Sequence, residues 1–295
     1  MRFVSIDAYA KLNWSLGVVG KMENGYHELD MLLQSISLCD TLEVEKSPEL
    51  ILEVNGKIPT APEKNLCIKA ANAFFEYTGI EEKCRIRLTK RIPICAGMGG
   101  GSADAAGVLI ALNMLFETKL SNAVLVRVGE PLGADVPFMI TGGLMRARGI
   151  GEVLESKRLG KIMHMVVIMP KKGASTPNIF SAFDAIEQPA AVNNDAMLVA
   201  LDKGDSEEIA KYMVNHLQSV TASINNDIDK AISILLQNGA VAAMMTGSGS
   251  ACYGLFSDSR AASEAYRSIR GSQEFRSVYK VRTVHSSFSL NKLLR

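Results

Sequence analysis

The sequence predicts an α+β fold of two domains, 1–155 and 156–295, with the functional site in the cleft between them. Three observations carry that prediction. At 295 residues, 47% of them hydrophobic, the chain is longer than an ordinary single domain and has enough apolar side chains for a substantial core. Strand-like alternation and helical periodicity interleave along it, as they do where helices cover a sheet. Each half also holds a glycine-rich turn next to a strand-like run, at 97–102 and at 246–250, so that two such turns can face one another across a cleft.

Residues 8–18 read as a strand in which Lys11 and Asn13 point the same way, because side chains alternate with a period of two. Asn24-Gly25 is a turn signal that delivers Tyr26 and His27 to its far side. Residues 29–44 are strand-like with a break near Cys39 and Asp40, and 50–54 form a further strand followed by an Asn55-Gly56 turn. Leu66, Ala70, Ala73, Phe74 and Tyr77 recur at helical spacing, with Asn65 as N-cap and Gly79 as terminator. Residues 85–90 alternate again and lead into the first glycine loop, after which Ser102 is expected to cap a buried helix over 103–116. Asp135 follows a Gly-Ala turn and precedes Pro137, a setting that by itself suits a turn residue. The domain boundary is placed in the charged, glycine-punctuated stretch 151–160.

In the second half, 164–169 is a short continuous apolar run of the kind buried strands show. A loop containing Thr176 leads to a helix beginning near Ile179 and Phe180, and two longer helices are expected near 195–217 and 222–238. Residues 241–256 read as strand, glycine turn and strand, and the alternating stretch 276–284 supplies the last strand.

Composition narrows the partners. A net charge of +1 offers no general field for nucleic acid or an anionic membrane. Five cysteines, an odd number without C-x-x-C spacing, indicate neither a disulfide framework nor a metal site, and suit reduced thiols in a cytoplasmic protein. No apolar run approaches the roughly 18 residues a membrane span requires.

The chemistry lies in the first glycine loop. Gly97, Gly99, Gly100 and Gly101 fall within five residues at a strand-to-helix junction, where free N–H groups and the positive end of a helix dipole favour an anion such as a di- or triphosphate. No lysine follows these glycines, so the Walker pattern is absent. The dinucleotide fingerprint nearly fits from Gly97, but Ser102 occupies its last place. The loop alone leaves the class of phosphate ligand open.

Taken together, Ala10-Lys11-Leu12-Asn13, residues 93–106 and residues 246–250 resemble the three motifs of the GHMP kinases, small-molecule kinases that use ATP and Mg²⁺. The resemblance implies that the ATP phosphates lie on Gly97, Met98, Gly99, Gly100, Gly101 and Ser102, between Pro93 and Ala103. It implies an adenine pocket near Asn65 and Leu66, and Lys11 and Asp135 as the catalytic pair, with Lys11 keeping Asp135 ionised. Further stretches, Gly25-Tyr26-His27-Glu28, 133–138 and 147–152, resemble the branch of the family whose small-molecule substrate carries a cytidine diphosphate group. That branch implies Tyr26 and Phe180 sandwiching the base, His27 hydrogen-bonding it, and Asn13, Thr176 and Gly247 contacting the substrate. It names no metal ligand, and it implies a monomer or weak homodimer with no nucleic-acid or membrane partner. Asn215-His216-Leu217-Gln218 departs from the Asn-Asp-Leu-Glu type of segment expected there. Homoserine or mevalonate kinases, or a non-catalytic nucleotide-binding regulator, would share the glycine loop; Tyr26, His27 and Phe180 argue against the first two, and the presence of both Lys11 and Asp135 against the third.

Overall fold

The computed structural model describes residues 2–55, 64–184 and 191–294. Its longest elements are β1 (Phe3–Lys21) and β2 (His27–Ser47), which pair antiparallel from Phe3 opposite Glu45 to Lys21 opposite His27. The turn between them forms as Asn24-Gly25 predicts: Gly25 has φ 83° and the Tyr26 N–H donates to Asn24 Oδ1 at 3.0 Å. The break expected near Cys39 is not a strand end. The ladder steps from Tyr9 opposite Cys39 to Ala10 opposite Ile36, a bulge that bends β2 without interrupting it.

β3 (Ile51–Asn55) runs parallel to β4 (Lys83–Thr89), and the turn expected at Gly56 lies outside the described residues. α1 (Leu66–Thr78) connects the two strands. Its ends are those its sequence announces: Asn65 Oδ1 accepts from the Cys67 N–H, and Gly79 closes the helix in the left-handed region. α2 (Gly100–Leu115) begins earlier than expected, with Gly99 rather than Ser102 at its N-cap. The left-handed φ of 68° that the cap position takes here suits glycine, and Ser102 falls inside the first turn. α2 is buried on nearly every side, packed on β1, β2 and α1, which explains its uniformly apolar sequence.

α3 (Asn122–Gly129), one 3-10 turn (Glu130–Leu132) and α4 (Val136–Thr141) lead to β5 (Leu144–Gly149) and β6 (Val153–Lys157), with β5 paired to β2. The second half builds another sheet. β7 (His164–Met169) is followed by α5 (Thr176–Phe183), α6 (Asn194–Lys203), α7 (Ser206–Tyr212), the short β8 (Val214–Asn215), α8 (Gln218–Ile224) and α9 (Asp227–Gln237). The two long helices expected here are thus each divided. Gly204 ends α6 in the left-handed region, Asp205 caps α7 by accepting from Glu207 and Glu208 N–H groups, and Asn225 separates α8 from α9.

β9 (Ala242–Met245), β10 (Cys252–Phe256), α10 (Ser259–Gly271) and β11 (Ser277–Arg282) complete this sheet in the order β11-β7-β10-β9. β11 is not the last strand. β12 (Phe288–Leu294) returns to the first sheet and pairs antiparallel with the start of β1, giving the path β12-β1-β2-β4-β3. Its exposed Asn291 and Lys292 interrupt the apolar pattern that would have announced it. β8 also joins the first sheet, beside Ser15 and Leu16 of β1. No helix among the described residues is long and apolar enough to cross a membrane.

Candidate active site

A cavity of about 570 Å³ opens where β1, the start of α2, the start of α5 and the β9–β10 turn meet. Its floor is the first glycine loop. Cys95, Gly97 and Gly99 all have positive φ, at 56°, 73° and 68°, so the chain coils tightly before α2 begins. The first N–H groups of an α-helix have no intrahelical acceptor, and no side chain caps this one. Gly100, Gly101 and Ser102 therefore present donors, reinforced by the helix dipole, along the cavity wall.

The loop is pinned from two sides. The Lys11 N–H donates to Met98 O at 3.1 Å, and the Ala251 N–H to Ala96 O at 3.2 Å. A Cβ at Gly97 would lie 2.3 Å from Thr246 O and 3.2 Å from Gly249 N, so the two glycine turns touch backbone to backbone. Met98 and Ala103 are only 1% exposed and do not line the cavity; Met98 serves through its carbonyl and Ala103 through the first intrahelical bond, to Gly99 O.

Asn13 joins the three motifs. Its Oδ1 accepts from Lys11 Nζ at 3.0 Å, Gly247 N at 3.1 Å and Thr246 Oγ1 at 3.2 Å, while its carbonyl accepts from Tyr253 Oη at 2.8 Å. Among the described residues its Nδ2 faces only the weak acceptor Met31 Sδ. Asn215 holds the same turn from below, donating from Nδ2 to Met245 O at 2.8 Å and Gly247 O at 2.9 Å, and Gln218 Oε1 accepts from the Met245 N–H. The divergent segment at 215–218 thus acts as the buckle of the turn. The tie from Tyr253 to Asn13 was not legible in the sequence, since the two lie 240 residues apart.

Lys11 and Asp135 flank one residue: a Cβ at Gly99 would stand 3.3 Å from Lys11 Cγ and 3.5 Å from Asp135 Oδ2. No direct ion pair joins them. The Lys11 ammonium, 5% exposed, is taken by Asn13, two residues along the same strand face. The Asp135 carboxylate, half-buried at the start of α4, accepts no hydrogen bond from the described residues.

Behind the start of α2 lies a buried charge cluster that sequence reading missed. Lys90 Nζ bonds Asp104 Oδ2 at 2.7 Å and Asp40 Oδ2 at 2.5 Å, and Asp40 Oδ1 also accepts from the Ile92 N–H at 2.9 Å. Two carboxylates compete for one ammonium. Burial, aided by Asp40 and opposed by Lys90, pushes the Asp104 carboxyl well above the usual range. Burial works against the Lys90 charge, but Asp104 and Asp40 outweigh it and raise the Lys90 pKa. Alternation at 85–90 marked Lys90 as the end of a strand without revealing these partners.

Asn65, Leu66 and Pro93 also line the cavity, with Leu66 against Gly101. From α5 the wall takes Thr176, whose hydroxyl is 2.6 Å from Ser248 Oγ, and Phe180. Gly247 also lines the wall. Tyr26 is 61% exposed on the β1–β2 turn and lies off the wall, as does His27, whose ring packs on Phe180 with centroids 4.9 Å apart. His27 Nε2 contacts Asp184 Oδ1 at 2.6 Å, and Lys21 Nζ contacts the other carboxylate oxygen. Asp184 escaped sequence reading because its partners are 157 and 163 residues distant.

Residues 65–143 match the family described as GHMP kinases N terminal domain, and residues 197–273 the one described as GHMP kinases C terminal. A 4-diphosphocytidyl-2-C-methyl-D-erythritol kinase from Acetivibrio thermocellus is 38% identical over 275 residues, which cover 92% of this chain and 97% of the relative. The chain belongs to the GHMP kinases. This GHMP kinase is also 34% identical, over 286 residues covering 96% of it and 99% of the relative, to a protein of the same name from Clostridium perfringens strain 13. A crystal structure of 4-(cytidine 5'-diphospho)-2C-methyl-D-erythritol kinase aligns with a TM-score of 0.82 at 32% identity, covering 95% of this chain and 98% of that one. The expected α+β GHMP fold is therefore the observed one, and the chain is an ATP-using small-molecule kinase.

Proposed function

We propose that this GHMP kinase transfers the γ-phosphoryl group of ATP to the 2-hydroxyl of 4-diphosphocytidyl-2-C-methyl-D-erythritol, a step of the non-mevalonate isoprenoid precursor pathway. The observation that carries the proposal is one continuous cavity. Its wall brings together the glycine loop, Thr176 and Phe180 of α5, and Lys11 and Asp135, which flank Gly99.

Phosphoryl transfer requires in-line positioning and stabilisation of dispersed negative charge. In this reading the N–H groups of 100–102 hold the ATP phosphates, with the adenine near Asn65, Leu66 and Pro93. An ammonium has three donors, and Asn13 takes one from Lys11. The other two serve the transferring phosphoryl group. Asp135, free of an ion pair with Lys11, aligns the 2-hydroxyl and accepts its proton. Asn13 Nδ2, Thr176 and Gly247 contact the methylerythritol diphosphate. Phe180 offers a stacking face for cytosine, Tyr26 covers the other face, and His27 reads the edge of the base.

Among the described residues no group of three or more His, Cys, Asp or Glu side chains forms a metal cage. Mg²⁺ takes few protein ligands beside phosphate and water. Ser102, whose hydroxyl makes no protein hydrogen bond among the described residues and lies on the cavity wall beside Gly133, would hold it, and its charge would neutralise the β- and γ-phosphates. We further propose a division into domains near residue 155, a monomeric or weakly dimeric state, and action in the cytoplasm.

ATP consumption measured with diphosphocytidyl-methylerythritol, homoserine and mevalonate as separate acceptors tests the proposal. Turnover of the cytidyl compound alone is expected. Turnover of homoserine or mevalonate without it would refute the substrate.

A further inference from the structure

Lys21, His27 and Asp184 form a polar constellation that the phosphoryl-transfer chemistry does not use. Its assembly follows from register. Lys21 and His27 are directly opposed at the last rung of the β1–β2 ladder. Phe180 and Asp184 are one helical turn apart at the end of α5, so they share a face. The helix therefore offers one imidazole two contacts at once, the Phe180 ring at 4.9 Å and a carboxylate oxygen at 2.6 Å. Lys21 Nζ holds the second carboxylate oxygen at 2.5 Å.

We infer that Asp184 is a positioning residue that fixes the tautomer of His27 and thereby makes the base site select cytosine over uracil; the inference rests on the base pocket proposed above. Hydrogen bonds from Lys21 and then His27 hold the Asp184 carboxyl below its ordinary range, so it faces the imidazole as a carboxylate. A carboxylate only accepts hydrogen bonds, and the proton of a neutral imidazole must then sit on Nε2. Nδ1 is left as an acceptor, and it has no partner among the described residues. Cytosine presents an amino group at C4, a donor that matches a lone pair. Uracil presents a carbonyl there, which the same lone pair repels. His27 supplies the contact, and Asp184 decides its polarity.

The test compares kcat/KM for diphosphocytidyl- and diphosphouridyl-methylerythritol in the wild type and in Asp184→Asn, Asp184→Glu and His27→Ala, with ¹⁵N NMR of the His27 ring in the ligand-free enzyme. An asparagine amide offers Nε2 either a donor or an acceptor. Asp184→Asn should therefore lower the cytidyl preference by about tenfold or more and move the ring proton, with KM for ATP unchanged. Asp184→Glu should restore both the preference and the Nε2–H signature. An equal loss for both bases, or an unaltered tautomer in Asp184→Asn, would overturn the inference and leave Asp184 a structural residue. Loss of preference in His27→Ala but not in Asp184→Asn would overturn it while leaving the pocket reading intact. Full preference retained in His27→Ala would overturn the pocket reading and the inference together, and absence of cytidyl turnover in the wild type would remove the proposed function beneath both.

Discussion

Gly97→Ala probes the contact between the two glycine turns. The substitution meets two costs. A non-glycine residue at φ 73° costs about 1–2 kcal/mol. The new Cβ would also sit 2.3 Å from Thr246 O and 3.2 Å from Gly249 N, and overpacking of that kind costs about 1–3 kcal/mol. Both obstructing atoms are backbone, so relief requires the turns to separate, which strains the Ala251–Ala96 hydrogen bond and the Gly247–Asn13 bond that steadies Lys11. The sum, about 2–5 kcal/mol, corresponds to a fall in turnover of about 30-fold to a few thousandfold if the cost falls on the catalytic arrangement. Gly79→Ala is the control. Its φ of 68° carries the same conformational cost, yet nothing lies within 4 Å of its Cβ and it ends α1 away from the cavity. Urea unfolding and ATP-consumption kinetics should show a modest loss of stability with normal turnover for Gly79→Ala, and losses of both for Gly97→Ala. Equal stability and near-normal turnover in the two variants would refute the reasoning.

Other outcomes follow from the same geometry. Asp135→Asn should bind ATP normally by calorimetry while kcat falls about 10²–10⁴-fold, the range of a lost general base; near-normal kcat would remove Asp135 from that role. Lys90→Met leaves Asp40 and Asp104 buried together and should cost about 3–5 kcal/mol in urea unfolding at neutral pH. Because the folded Asp104 pKa lies above its unfolded value, the folded state takes up the proton first, so this loss should shrink as pH falls through the folded value towards about 4. Arg146→Met removes two bonds to Asp30, of 2.8 and 2.7 Å, and should cost about 1–3 kcal/mol. Burial alone would raise the Asp30 pKa, but the Arg146 bonds lower it below 3.8, so the wild type keeps this contribution above that value and loses it as pH falls through the folded pKa. The acid limb of the stability curve should therefore flatten in Arg146→Met.

Features set by a few neighbouring residues were legible in the sequence. Asn65 and Gly79 bound α1, Asn24-Gly25 turns the first hairpin, and alternation places Lys11 and Asn13 on one strand face where they hydrogen-bond. The glycine cluster announced the cradle, although the left-handed cap moved the helix start from Ser102 to Gly99. Interactions closed over long distances were not legible. Lys90 meets Asp40 fifty residues away, and the position of Asp40 depends on a bulge that local pattern cannot place. Likewise the resemblance paired Lys11 with Asp135 but did not announce that Asn13, two residues along the strand, accepts from the Lys11 ammonium. His27 and Asp184 meet only because the last rung of one ladder and the last turn of α5 coincide in space.

The return of β12 to β1 gives the molecule a particular order of assembly. Residues 288–294 cover the outer edge of the strand that carries Lys11 and Asn13, and the Ser287 carbonyl receives the Tyr9 N–H. That edge therefore stays open throughout synthesis of the second sheet, offering unpaired backbone groups to any other strand in reach. On the ribosome the glycine loop can be complete while the strand beside it still lacks its outer neighbour. Tags or truncations near residue 294 thus act on the strand that carries Lys11, although nearly three hundred residues separate them along the chain.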